Sequence, residues 1–416
     1  MGAAMKILFL SRWYPYPPDN GARQRIFHLL HGLAGAHTVD LISFTDEPIS
    51  DERRKAMLNV CRRVETAAYN SFQPGRARAL RGYFSRQPRS FLDTYSAEMS
   101  ACIAAAIKNE HFDAVVASEI DMAPYAREVP GVVRILEELE ISQYEQRVRE
   151  AASRLSSLRH QLTRIKLSVY LAELMRAFDA CTVVSDRERE VVRRMIPGIR
   201  NLWVVPNGVD VGRAPSSQPT LREDTLIYSG ALTYQANYDA VDYFLSEIYP
   251  LILKERPQVQ FRVTGSLEGV DLAKLPGRPG VIFTGYLKDI VAEVASSWLS
   301  VVPLRAGGGT RLKVLESLHL GTPVVSTTKG VEGLELSPGR DLLVADTAED
   351  FADAALSILA NPHLRETLAR QGRQTVREHY DWKSISQRLT EIVEDTVQAR
   401  AFPDSGYGIS LPVNHG

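Results

Sequence analysis

The chain has 416 residues, 44% hydrophobic and 24% charged, with a formal net charge of −1. That length calls for two domains of about 200 residues, the composition excludes a disordered or fibrous chain, and near-neutrality argues against nucleic acid as a partner. The charge is unevenly spread: residues 1–205 carry 29 Lys+Arg against 24 Asp+Glu and the remainder 20 against 26, so any attraction to an anionic surface belongs to the first half.

The opening Met1–Leu10 has too short an apolar stretch for a signal peptide, and Lys6 breaks the myristoylation pattern. No apolar run reaches the roughly 18–20 residues that cross a bilayer. Cys61, Cys102 and Cys181 are far apart and lack C-x-x-C spacing, which argues against a disulfide framework or a cysteine-ligated zinc. The expectation is a cytoplasmic protein.

In chain order, buried strands are expected at Lys6–Leu10, Val39–Phe44, Ala114–Ser118, Val132–Glu137, Ala180–Ser185 and Leu202–Pro206. The second half repeats the scheme at Thr225–Gly230, Gln260–Gly265, Val281–Gly285, Leu299–Leu304, Pro323–Thr327 and Leu342–Asp346. Apolar, β-branched runs separated by helical patterns mean parallel strands covered on both faces. Two doubly wound α/β domains follow, with ligands at the carboxyl ends of the strands. The domains expected are 1–208 and 209–381, with a Pro-rich hinge over Val209–Arg222. An amphipathic helix is expected over 382–399, with Ile385, Leu389, Ile392 and Val393 on one face, ahead of a loose tail, 400–416. Ser185 and Thr347 have the spacing of helix N-caps.

Two stretches of the first half are rich in arginine. Gln73–Ser90 holds Arg76, Arg78, Arg81, Arg86 and Arg89 with no acidic residue, and a second runs through Arg147, Arg149, Arg154, Arg159, Arg164 and Lys166. They read either as solvated surface or as a basic face for anionic lipid, with Leu80, Tyr83 and Phe84 available to insert.

The strand Leu299–Leu304 runs into Arg305-Ala-Gly-Gly-Gly-Thr-Arg-Leu-Lys-Val-Leu-Glu316. Consecutive glycines expose amide N–H groups and lead into a helix whose N-terminus favours phosphate. Arg311 and Lys313 sit where the helix dipole disfavours cations, which suggests an anion there. The loop lacks the G-K-[ST] ending of a Walker motif. Glu316, further down this helix, is placed to accept hydrogen bonds from a ribose diol. At the carboxyl end of Ala114–Ser118, Glu119 and Asp121 are placed either to meet an acceptor hydroxyl or donor sugar or to cap a helix or solvate the loop, and Glu137, Glu138 and Glu140 form a second acidic strand end. The histidines lack metal-binding spacing and no D-x-D occurs, so no metal is expected.

The glycine run to Glu316, with Gly321-Thr-Pro-Val-Val325 and Gly330-Val-Glu-Gly-Leu334, resembles the donor-site signature of glycosyltransferase family 4, retaining enzymes of GT-B fold. Pro17-Pro-Asp-Asn-Gly21, Val205-Pro-Asn-Gly-Val-Asp210 and Phe283-Thr-Gly-Tyr-Leu287 extend the resemblance along nearly the whole chain, nearest to a bacterial exopolysaccharide-type subgroup. The resemblance implies two Rossmann-like domains facing a cleft and a nucleotide diphosphate sugar, UDP- or GDP-linked, as co-substrate with no other cofactor. It also implies transfer to a glycan, lipid-linked or small-molecule acceptor in polysaccharide or glycoconjugate biosynthesis, and a final helix, 382–399, that returns to the first domain; the arginine-rich stretches add the expectation of peripheral docking on the inner face of the membrane. Glu316 falls on the family's ribose-binding glutamate, whereas its partner eight positions earlier falls on Gly308. The family's Arg…Lys pair is missing near Gly230, where the chain reads Ser229-Gly-Ala-Leu-Thr-Tyr-Gln-Ala-Asn237. Diphosphate neutralisation therefore passes to Arg311 and Lys313. Gly308, Gly309 and Thr310 would meet the sugar, Tyr286 and Leu287 the base, and Gly21 the donor phosphates and acceptor. A GT-B epimerase or hydrolase, or a non-catalytic sugar-binding assembly protein, are the alternative readings.

Overall fold

The computed structural model describes residues 4–85, 87–139, 154–215 and 219–401. Arg86, Glu140, Arg147, Arg149, the middle of the Pro-rich hinge and the tail beyond 401 lie outside the described residues, as do the side chains of Glu138, Arg154, Arg159 and Arg164. The chain forms two compact units, one of residues 1–206 and 383–416, the other of 207–382.

The first unit is built on seven parallel strands: β1 (Lys6–Ser11), β2 (Thr38–Thr45), β3 (Arg63–Ala68), β4 (Ala114–Ser118), β5 (Val133–Leu139), β6 (Ala180–Val183) and β7 (Leu202–Val204), in the order β3-β2-β1-β4-β5-β6-β7. β1 and β4 are buried along almost their whole length because helices cover both faces, which is why they read as continuous apolar runs. In register, Ser11 pairs with Ser118, so Arg12 and Glu119 leave the sheet at the same level. β3 was absent from the sequence expectation. It is an edge strand whose Arg63-Val-Glu-Thr-Ala-Ala68 buries only some of its side chains.

The helix Trp382–Ala401 packs within this unit through Ile385, Leu389, Ile392 and Val393, all buried. Gly32 on the helix Gly21–Ala36 permits the approach: a Cβ there would collide with Ser386. Glu394 Oε1 lies 3.2 Å from His37 Nε2, and Arg400 pairs with Asp179 at 3.5 Å.

The second unit has six parallel strands: β8 (Arg222–Ser229), β9 (Gln260–Thr264), β10 (Val281–Gly285), β11 (Ser297–Val302), β12 (Val324–Ser326) and β13 (Leu343–Val344), in the order β10-β9-β8-β11-β12-β13. β8 and β11 lie at its centre, so the turns after them share one end of the sheet. Ser185 and Thr347 both cap helices, accepting from the amides of Glu188 and Asp350.

Candidate functional site

In the second unit the site grows from the ends of β11 and β8. Past β11 the chain enters the loop Arg305–Thr310 and then the helix Leu312–His319. Gly307 and Gly309 adopt φ of +103° and +78°, values that favour glycine, so the glycine run is a conformational requirement. The amides of Gly308, Gly309 and Thr310 donate to no acceptor among the described residues. Three unsatisfied donors ahead of a helix N-terminus form a ready anion cradle. The Thr310 hydroxyl is fixed by Asn207, whose Nδ2 donates to Oγ1 at 2.8 Å.

The two cations expected to face an anion behave differently. Arg311 is buried at the helix N-cap position, and its guanidinium turns back on the loop. It donates to the carbonyls of Gly308, Gly309 (3.0 Å) and Gly307 (2.8 Å). These carbonyls offset its charge, and the side chain braces the loop. Lys313 reaches across to the end of β8, where Nζ donates to Tyr228 Oη at 2.8 Å and Asn237 Oδ1 at 2.9 Å and lies 4.1 Å from the Tyr228 ring centroid. Gly230 makes room for it, since a Cβ there would stand 2.7 Å from Nζ. Burial, reinforced by Arg311, lowers the Lys313 ammonium to a pKa of about 7. Glu316 lies one turn further along, its carboxyl raised by burial, with Arg213 and Lys313 opposing. Its carboxylate accepts no hydrogen bond among the described residues.

Tyr286 follows β10 and is 82% exposed, while Leu287 is half-buried. They lie on the turn after the edge strand β10, at the same end of the parallel sheet as the glycine loop but with β9 and β8 between.

Gly21, Glu119 and Asp121 belong to the first unit. Gly21 opens the helix Gly21–Ala36, whose cap Asn20 accepts from the Arg23 amide at 3.1 Å. Glu119 takes φ +69°, a strained value for a side-chain-bearing residue, with its amide donating to Glu137 O at 3.0 Å. Asp121 has its carboxyl raised by burial and opposed by Arg12. Arg12 is itself buried against Trp13 and Tyr69 and paired with Asp46 at 3.1 Å. Glu137 is fully buried and bound to the equally buried Arg25, whose Nε donates at 2.8 Å; its other oxygen accepts from Ser118 Oγ at 3.0 Å. Arg25 also donates to the carbonyls of Val205 (2.9 Å) and Pro206 (3.0 Å). Glu137 therefore ties helix, sheet and the end of the unit together rather than presenting an acid.

Residues 19–213 match the model described as Glycosyltransferase Family 4, and residues 223–361 that of Glycosyl transferases group 1. The chain carries both domains of a glycosyltransferase. It is 20% identical over 91% of its length to an "Uncharacterized 44.6 kDa protein in cps region" of Klebsiella pneumoniae, 97% of which is covered. Over 46% of its length it is 23% identical to a GDP-mannose-dependent phosphatidylinositol monomannoside mannosyltransferase of Corynebacterium glutamicum, spanning about half (55%) of that protein. In fold, it superposes on sucrose-phosphate synthase of Thermosynechococcus elongatus with a TM-score of 0.66 at 16% identity, covering 95% and 100% of the two chains. Anabaena HepE in complex with UDP and glucose gives 0.65 at 15%, covering 94% and 99%. These likenesses establish the GT-B fold.

In this glycosyltransferase, sequence reasoning missed Tyr228, Asn237 and Asn207 as the residues that hold Lys313 and Thr310. Asn207 and Asn237 both stood inside quoted motifs, but only their spatial partners reveal the roles.

Proposed function

We propose that the protein is a retaining, metal-independent glycosyltransferase that takes its sugar from a nucleotide diphosphate donor, UDP- or GDP-linked, bound on the second unit. The observation that carries this reading is the set of groups at one helix N-terminus: three undonated loop amides, the buried Lys313 and the carboxylate of Glu316. The amides and Lys313 receive the diphosphate; Glu316 accepts from the ribose hydroxyls. In the transfer, the bond from the anomeric carbon to the diphosphate oxygen breaks, the acceptor oxygen bonds to that carbon from the same face, and the acceptor proton passes to the leaving diphosphate. Negative charge grows on that diphosphate, and positioned amides with Lys313 stabilise it without a divalent ion. Arg311 acts through the loop it braces. Glu119 and Asp121 are assigned to the acceptor side, where strain and a raised carboxyl mark the end of β4.

The UDP and glucose named for Anabaena HepE and the GDP-mannose named for the Corynebacterium relative support a nucleotide sugar as donor. The Klebsiella relative's cps region supports polysaccharide biosynthesis, with a glycan, lipid-linked or small-molecule acceptor. The working site is the cytoplasmic face of the membrane. Attachment there is peripheral in this reading; no helix among the described residues is long and apolar enough to cross a membrane. Proton NMR of the first-formed product tests the stereochemistry. Retention supports the reading, and an inverted anomer contradicts it.

A further inference from the structure

The first unit holds a cavity of about 590 Å³ that the donor chemistry does not use. Arg78, Arg81 and Arg127 line it together with Phe91, Tyr95 and Tyr170. Arg78 is anchored by donating to the Tyr95 carbonyl at 3.1 Å. The guanidiniums of Arg81 and Arg127 have no hydrogen-bond or ion-pair partner among the described residues. The one carboxylate on the wall, Glu128, accepts from Tyr95 Oη at 3.2 Å and stands against three guanidiniums. The wall therefore carries an excess of positive charge over an aromatic floor, with Phe91 against Tyr170 and Tyr95 stacked on Tyr125.

A second observation concerns the surface beside it. Leu80 is 48%, Tyr83 62% and Phe84 96% exposed, on the same short segment that supplies Arg78 and Arg81. Ile165 and Val169 are exposed one turn apart on the helix Arg154–Met175, which also supplies Tyr170. That helix is tied to the arginine segment by Lys166 Nζ, which donates to Gly82 O at 2.6 Å. Apolar side chains left in water on both elements that wall a cationic cavity match an amphiphile: an anionic head with a hydrocarbon tail.

We propose that this cavity binds the phosphate headgroup of a membrane lipid, with Leu80, Tyr83, Phe84, Ile165 and Val169 entering the hydrocarbon. The head is held by Arg81 and Arg127, with Arg78 beside them. It deepens the transferase reading by assigning the first unit a lipid-borne phosphate as ligand, and rests on that reading only for what the lipid serves. Binding is therefore measured without donor or turnover.

The full chain is sedimented with phosphatidylglycerol and with phosphatidylcholine vesicles, and titrated with glycerol 3-phosphate as the soluble source of the same chemistry. Expected is binding to phosphatidylglycerol only. Replacing both arginines (Arg81→Ala with Arg127→Ala) should weaken it roughly 30-fold, as two arginines at an anionic leaflet imply. Leu80→Ser with Phe84→Ser should also lose the vesicles. All variants should keep the nucleoside diphosphate affinity of the second unit, which shows them folded. Vesicle binding unchanged in the arginine variant overturns the proposal. So does glycerol 3-phosphate binding as tight as that to vesicles and indifferent to Leu80 and Phe84, which would make the ligand a soluble phosphate.

Discussion

Lys313 Nζ and Asn237 Oδ1 lie 2.9 Å apart, joining the first turn after the glycine loop to the helix that follows β8. The acceptor is a neutral amide, so the ammonium is hydrogen-bonded without a counter-charge in contact. Such a lysine loses its proton easily and regains it when an anion arrives.

Proton linkage follows. The unfolded chain holds the Lys313 proton up to its ordinary pKa of 10.5, the folded protein only to about 7. Between those values the unfolded state binds more protons, so this residue's contribution makes stability rise with pH, and its full penalty is present below about pH 7. Lys313→Met should therefore stabilise the unliganded protein most below pH 7, with the difference fading toward pH 10.5 in denaturation curves. Nucleoside diphosphate binding at pH 8 should take up a proton, read by calorimetry in buffers of different ionisation heat. No uptake would remove Lys313 from the diphosphate site.

Arg311 is expected to act through shape. Arg311→Lys keeps the charge but loses the fork that spans the carbonyls of Gly307, Gly308 and Gly309. Charge-assisted bonds of this kind are worth about 1.5–3 kcal/mol each, so the variant should lose roughly that much stability and bind nucleotide more weakly. Wild-type affinity in Arg311→Lys would mean that charge alone matters.

Activity should survive chelation. If the amides and Lys313 receive the diphosphate as proposed, a transfer assay in excess EDTA runs at the untreated rate. Loss of the rate, restored by Mg²⁺ or Mn²⁺, would contradict this.

The pair Arg25–Glu137 is structural, both side chains fully buried. Arg25→Met leaves a buried carboxylate alone and should cost about 3–5 kcal/mol, much of it recovered in the double variant with Glu137→Met. Urea denaturation of the three proteins checks it; equal midpoints would show that the pair contributes nothing.

The alternating strands and the domain repeat were legible because parallel strands covered on both faces must be apolar throughout. β3 was not, since an edge strand keeps polar side chains in water. The glycine loop was legible for a similar local reason, and so was the conflict between Arg311 and the helix dipole. Its resolution was not: the three carbonyls that take up that charge are ordinary backbone. Lys313 meets Tyr228 and Asn237 across 85 and 76 residues, and Arg25 meets Glu137 across 112, distances that only the folded sheets close. Glu137 in particular read as one of several acids at a strand end, and burial made it a tie.

The most direct test of the donor site is calorimetric titration of the protein, in EDTA, with UDP and with GDP, repeated on Glu316→Ala. One of the two nucleotides should bind at a single site, and the variant, still folded, should lose about 1.5–3 kcal/mol of that affinity, the worth of hydrogen bonds from a ribose diol to a carboxylate. Undiminished affinity in a folded Glu316→Ala protein, or no binding of either nucleotide to the wild type, would contradict the assignment of the glycine loop and its helix as the donor site.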